Sequence, residues 1–267
     1  MKYSTSPTPS VSNYPRSTSP LPAPANYQPT TASAAVKRYK YLRRLFKFNQ
    51  MDFEFAAWQM LYLLISPQKV FRNFSYRKQT KSQFARDDPA FLVLISAWLL
   101  LSSIALSWTL GLGYKKTILL TLFVIVVDFI GSGIIVSTFL WYISNKYLRV
   151  DRSPGAPDVE WGYTFDVHMN AFFPPLALLH FFQLILFHNL LNDVHLISCL
   201  IVNAVWLASI IYYLYITFLG YSSLQILQNT RVFLLPLPVL ALCYIATVIM
   251  GWNLSKMLMY FYYYRIM

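Results

Sequence analysis

The chain has 267 residues, 57% of them hydrophobic and 18% aromatic, with a mean hydropathy of +0.45 and a formal charge of +12. So apolar a composition excludes an average soluble domain, and the only two cysteines, Cys199 and Cys243, lie inside apolar stretches, which excludes a disulfide framework or a zinc site. The charge excess points to an anionic partner, either lipid head groups or nucleic acid.

Residues 1–36 are rich in Ser, Thr and Pro, with six prolines between Pro7 and Pro24. So few large aliphatic side chains cannot offset the entropy of ordering, which predicts a disordered tail. No apolar core follows a basic start here, so no cleavable signal peptide is expected and the first apolar span directs membrane insertion.

From Lys37 to Phe48 the sequence KRYKYLRRLFKF changes character. At 100° per residue, Lys37, Lys40, Arg43, Arg44 and Lys47 share one arc of a helix, and Tyr39, Tyr41, Leu42, Leu45, Phe46 and Phe48 fill the opposite one. This pattern suits an anionic membrane surface, where each Lys or Arg contributes about 1 kcal/mol. A solvated basic face over a protein groove is the alternative. Arg77, Lys78 and Lys81 extend the basic segment, and its interleaved aromatics also suit RNA, although no RNA-recognition fold accompanies them. Between the two basic runs, residues 55–66 are apolar for twelve positions and stop at Pro67, a length that fits an interfacial or buried helix better than a crossing.

Five longer apolar stretches follow, at 90–110, 117–143, 171–187, 196–219 and 232–254. Each is close to the ~20 residues that cross a hydrocarbon core. The predicted fold is all-α, a polytopic bundle of five transmembrane helices with N-terminal amphipathic cytosolic helices. Eighteen of the 22 basic residues fall before the first stretch or in the even-numbered gaps. Counting only charges near the spans leaves nine against four, which places the N-terminus and both even-numbered gaps in the cytosol and the C-terminus across the membrane. The expected divisions are a tail at 1–36, a basic cytosolic or interfacial segment at 37–89, a membrane domain at 90–254 and a short lumenal end at 255–267.

Local signals refine this layout. Asp88 before Pro89 reads as a cap followed by a proline at the first helical position, and Gly111 as a stop. Asp193 is placed to cap the fourth span, with Gly220 at its end and Gly251 near the end of the fifth. Pro174 and Pro175 break the third span's ladder, so that helix either extends back toward Asp166 or lies shielded by its neighbours. Pro236 and Pro238 predict irregular backbone in the fifth.

Asp128 is the one acid inside a span, and an intramembrane ionisable group is a functional-site candidate. His180, Gln183 and Asn203 are its candidate polar partners, for proton relay or for a polar substrate. Structural hydrogen bonding between helices is the competing reading. His168, His180, His188 and His195 show no metal-ligand spacing, and a lone carboxylate does not make an acid pair, so neither catalysis, a metal nor a cofactor is expected. In the gap taken as a 144–170 loop, Asp158, Glu160, Trp161 and Asp166 form a candidate patch for a cytosolic partner, Trp161 serving equally well as an interfacial anchor.

The block YRKQTKSQFARDDPAF at 76–91, together with SNKYL at 144–148, EWGYTFDVHMNAFFP at 160–174, TFLGYSSL at 217–224 and GWN at 251–253, closely resembles the uncoordinated-fifty family of Golgi membrane proteins. The resemblance runs from about Lys37 to the end. It implies a five-span protein of the Golgi and early secretory membrane with a cytosolic N-terminus, distantly similar to the Yip family. It also implies a role in trafficking membrane cargo, including receptors, and association with large guanine-nucleotide exchange factors for Arf GTPases. The family brings no catalytic residues.

Overall fold

The computed structural model describes residues 39, 41, 43–72, 88–153, 156–182 and 196–266. Two units are present, Met1–Tyr39 and Lys40–Met267, and the architecture below is that of the second. The expected disorder of the tail, Lys37, Lys40, Arg77, Lys78, Lys81, Gln183 and Asp193 lie outside the described residues.

The described part of the second unit is helical apart from one isolated bridge between Arg149 and Leu227. Helix α1, Phe53–Ile65, is capped by Asp52, whose carboxylate accepts the Phe55 N–H at 2.8 Å. It ends at Ser66, because a residue before proline is pushed out of helical geometry, and the chain is helical again over 67–72. Thirteen residues reach about 20 Å, short of a bilayer core. Ala56, Gln59 and Leu63 are buried, and α1 packs against the helices at 90–109 and 161–176.

Helix α2, Ala90–Thr109, starts one position later than its proline suggests: Pro89 is the cap. Asp88 still accepts the Ala90 N–H at 3.0 Å, and its other oxygen accepts the Asp52 N–H at 2.9 Å. One carboxylate thereby ties the starts of α1 and α2 together. Gly111, at φ +65°, makes the left-handed turn that ends α2, a conformation glycine adopts without a Cβ penalty.

Helix α3 runs from Tyr114 to Leu148, and its 35 residues reach about 52 Å, well past the ~30 Å hydrocarbon core. It widens to π-helix at Val124–Gly131 and again at Ser144–Leu148. Helix α4, Trp161–Leu176, continues as π-helix through Phe182. Pro174 and Pro175 remain inside it, and the widening follows directly on the two backbone donors they remove. The whole stretch reaches about 33 Å at ~1.5 Å per residue, enough to cross. It starts ten positions before the apolar stretch that announced it. The 144–170 segment is thus mostly helix, and the loop is confined to 149–160.

Helix α5, Leu196–Ser222, passes through Gly220 without stopping. A Cβ there would sit 2.7 Å from Val167 Cγ1 and 3.3 Å from Phe71, so the glycine serves close packing against α4 and the 67–72 stretch. Helix α6, Pro236–Ile249, begins at its prolines, the first helical turn having no use for their missing N–H. A 3₁₀ turn at Thr230–Leu234 precedes it, and Gly251 at φ +66° closes it. Helix α7, Leu254–Ile266, then folds back against the bundle, burying Met259, Tyr262 and Ile266.

Four of the five expected spans are therefore helices long and apolar enough to cross: α2, α3, α5 and Thr230–Ile249. The fifth is the more polar α4, which buries eleven of its sixteen residues between Trp161 and Leu176. The alternation is visible in the loops. Segments 149–160 and 223–231 meet at one end, where Val150 N–H donates to Ile226 O at 3.0 Å and Gln228 N–H to Leu148 O at 2.8 Å. The end of α2, the α5 helix and α7 pack together at the other, where Leu106, Leu110 and Trp206 lie on Val202 and Met259.

Candidate functional site

Several buried polar side chains of the bundle form short pairs across helix contacts. Asn170 on α4 accepts from Gln59 Nε2 of α1 at 2.8 Å. Two residues earlier, about 200° around the helix, His168 meets Tyr213 of α5 through Nδ1 at 2.8 Å. That ring lies against Gly133 of α3, where a Cβ would stand 2.9 Å from His168 Cδ2. Polar residues on two sides of α4 are why hydropathy alone misplaces its start: each is absorbed by a partner on a neighbouring helix.

Asn203 holds the turn between α6 and α7. Its Nδ2 donates to Trp252 O at 2.8 Å and to Thr247 Oγ1 at 3.2 Å, and its Oδ1 accepts the Leu254 N–H at 3.1 Å. This side chain is a joint and does not meet Asp128. Asp128 lies within the π-helical part of α3, and its Oδ2 accepts the Tyr262 hydroxyl of α7 at 2.7 Å. His180, within the π-helical end of α4, bonds Ser102 Oγ of α2 through Nδ1 at 2.9 Å. Ser102, His180 and Tyr262 line one cleft of about 20 Å³ together with Leu106, Leu179, Leu258 and Met259, and Asp128 reaches its wall only through the bond to Tyr262. Of the four intramembrane polar candidates, the structure places His180 at this cleft and Asp128 one hydrogen bond behind it. Tyr262 and Ser102 join them unforeseen, because nothing in the spacing of 128 and 262 announces that α7 folds back.

The end carrying loops 149–160 and 223–231 is built by side chains that imitate backbone pairing. Asn145 accepts the Val159 N–H at 2.8 Å and donates to Val159 O at 3.0 Å, and Trp141 Nε1 donates to the same carbonyl at 2.9 Å. The Tyr163 hydroxyl donates to Gly220 O at 2.6 Å, fastening α4 to the end of α5. Leu148, Val159, Tyr221, Leu224 and Phe233 form the apolar cluster beneath. Asp158 is exposed, and Glu160 and Trp161 are half-buried, the indole stacking on Phe165 and donating to Thr138 Oγ1 at 3.1 Å. Asp166 is 7% exposed. It sits about one and a half helical turns below Glu160 and does not belong to a surface patch, because the helix begins before it. Asp151, on the same loop, accepts the Ser153 N–H at 2.9 Å, which holds its carboxyl below the ordinary aspartate value.

Of the basic arc, Arg43 and Lys47 are exposed and Arg44 is half-buried. The helix that carries Tyr41, Arg43 and Arg44 turns at Leu45–Phe46, and Lys47 caps a separate 3₁₀ turn at Phe48–Gln50, so Lys47 does not continue the helical arc. Phe46 and Phe48 stand 87% and 58% exposed beside these cations, an aromatic and basic surface next to the membrane domain.

Comparison with known proteins decides the family. The UNC-50 family model matches residues 41–263. The protein unc-50 homolog of Drosophila melanogaster is 53% identical over 270 residues, covering 100% of this chain and 98% of the fly protein. The Homo sapiens protein unc-50 homolog is 54% identical over 234 residues, covering 88% of this chain and 90% of the human protein. The chain belongs to the UNC-50 family. Protein unc-50 homolog B of Xenopus laevis is 52% identical over 260 residues, covering 97% of this chain and 99% of the frog protein, and no solved structure matches. Three of the segments that carry the UNC-50 resemblance lie at helix joints, and a fourth is a buried helix. Asn145 of SNKYL pins Val159, Gly220 of TFLGYSSL takes the Tyr163 bond, GWN closes α6, and EWGYTFDVHMNAFFP is the buried helix α4.

Proposed function

We propose that this UNC-50 protein is a non-catalytic adaptor of the Golgi membrane in vesicle-mediated trafficking, sorting membrane cargo such as receptors and recruiting large Arf guanine-nucleotide exchange factors. The observation that carries this reading is how the interior polar groups are used. Gln59 with Asn170, His168 with Tyr213, and Asn203 with the Trp252 turn are spent on joining helices. Exposed cations and aromatics gather outside the bundle at Arg43, Phe46, Lys47 and Phe48. In this reading the N-terminus and loops 149–160 and 223–231 face the cytosol, the basic leader rests on anionic lipids, and Asp158 with Glu160 offers acidic contacts to a partner.

Two experiments test it. Changing Lys40, Arg43, Arg44 and Lys47 to Glu abolishes recruitment of the exchange factor to Golgi membranes, and unaltered recruitment rejects the leader's role. Single cysteines at Asp158 and Gln228 label from the cytosol and one at Lys115 from the lumen; the opposite pattern inverts the orientation.

One observation favours a second reading. His180 lines a cleft with Ser102 and Tyr262, and Asp128 bonds that Tyr262, intramembrane polar groups on which a transporter or lipid-translocating path could draw. Lost lipid or ion flux in vesicles reconstituted with Asp128→Asn, with normal cargo sorting in cells, distinguishes it. RNA binding by the leader remains the third reading, exposed by crosslinking the full chain to RNA.

A further inference from the structure

The cleft between α2, the π-helical end of α4 and α7 carries a hydrogen-bonding polarity that neither joining helices nor docking partners uses. Ser102 Oγ donates its one proton to Leu99 O at 3.1 Å. With that proton on the Leu99 carbonyl, its oxygen accepts from His180 across the 2.9 Å contact, the tautomer that carries its proton on Nδ1. In the neutral ring the other nitrogen, Nε2, is then an acceptor. The Tyr262 hydroxyl has likewise given its proton to Asp128, which leaves the phenol oxygen only a lone pair to offer. With the protons so placed, the acceptors among the lining residues are His180 and Tyr262, and a hydrogen-bond donor is their match.

Size and surroundings narrow the class. A space of about 20 Å³ takes one water-sized group, that is, one hydroxyl, and not a phosphate with its substituents. Among the described residues no Lys or Arg lines it to hold an anion, and the rest of its described wall is Leu106, Leu179, Leu258 and Met259. The cleft lies among membrane-spanning helices, so a ligand reaches it through lipid and needs an apolar body. Asp128 and His180 both sit in π-helical turns, a geometry found in well under ~1% of residues and frequent at functional sites.

We propose that this cleft binds a neutral membrane lipid by one hydroxyl group. The hydroxyl donates to His180 Nε2 or to the Tyr262 oxygen, and the apolar body lies along the Leu and Met side chains of α2, α4 and α7. Helix α7, which supplies three of the lining residues, forms one wall. Sterols, diacylglycerols and ceramides share this chemistry. The site goes beyond the adaptor reading, and neither stands or falls with the other.

The test uses the full chain in lipid nanodiscs with photoactivatable, clickable analogues of a sterol, a diacylglycerol and a ceramide, adducts being mapped by mass spectrometry. At least one probe labels peptides of α2 near Ser102 or of α7 near Tyr262. That label is competed by the unlabelled hydroxyl lipid and not by its methyl ether or by phosphatidylcholine, and the probe that labels names the source. Leu258→Trp, which fills the cleft, and His180→Phe, which removes the acceptor, each cut the label at least fivefold. Val239→Trp on the lipid-facing side of α6 leaves it unchanged. Three results overturn the proposal: no probe labels the cleft, the methyl ether competes as well as the alcohol, or label persists in both cleft variants while their thermal transitions match the parent's.

Discussion

Helices α4 and α6 both lie in the membrane domain, and they are built on opposite plans. Helix α4 carries Asp166, His168 and Asn170 and buries eleven of sixteen residues; α6, apolar throughout its helical core, buries none and rests on α5. In water the more apolar helix would be the inner one. In a bilayer the lipid is as apolar as leucine, so burial confers nothing on α6, while the polar groups of α4 need partners that only other helices supply. The helix least like a membrane span is the axis of the fold.

That contrast fixes the order of mutational effects. Gly220→Leu forces a side chain into Val167 and Phe71 at the contact of α5 with α4; overpacking of this kind costs about 1–3 kcal/mol, and the thermal transition in detergent falls by several degrees. Tyr213→Phe leaves His168 Nδ1 without its partner and costs about 0.6–1.7 kcal/mol, the range of interhelical hydrogen bonds in membranes, a loss read in the same unfolding experiment. Gln59→Leu, which removes one member of the Asn170 pair but keeps the side chain's bulk, costs about 0.6 kcal/mol or more. At the small end, Leu242→Ala on the exposed side of α6 shifts stability by no more than about 0.5 kcal/mol. A loss at Leu242 equal to that at Gly220 would break the contrast by showing that α6 packs on something besides lipid.

How much of this the sequence carries follows from the same physics. Four spans are legible because lipid-facing helices are apolar all round, and the stop at Gly111 because only glycine turns there cheaply. The start of α4 at Trp161 is hidden, since His168 and Asn170, which lower its hydropathy, are paired by partners distant in sequence, Tyr213 and Gln59. The same remoteness hides Tyr262 from Asp128: 134 residues separate them, and only the fold-back of α7 brings them together. The basic arc reads too long for a nearer reason. Periodicity alone continues it to Lys47, whereas the backbone turns at Leu45–Phe46. Asp166 reads as a surface acid where the 144–170 gap is taken as a loop, and the helix does extend back past it, one of the two outcomes that Pro174 and Pro175 allow.

The central claim is that this UNC-50 protein acts through its outer surface, the interior polar groups serving to hold the helices or to seat a lipid. The most direct measurement sets Lys40/Arg43/Arg44/Lys47→Glu beside Asp128→Asn in one cell line and follows both exchange-factor recruitment to Golgi membranes and surface delivery of receptor cargo. The account predicts that the leader variant loses both and Asp128→Asn keeps both. Intact recruitment and delivery in the leader variant, with loss of delivery in Asp128→Asn, contradicts it.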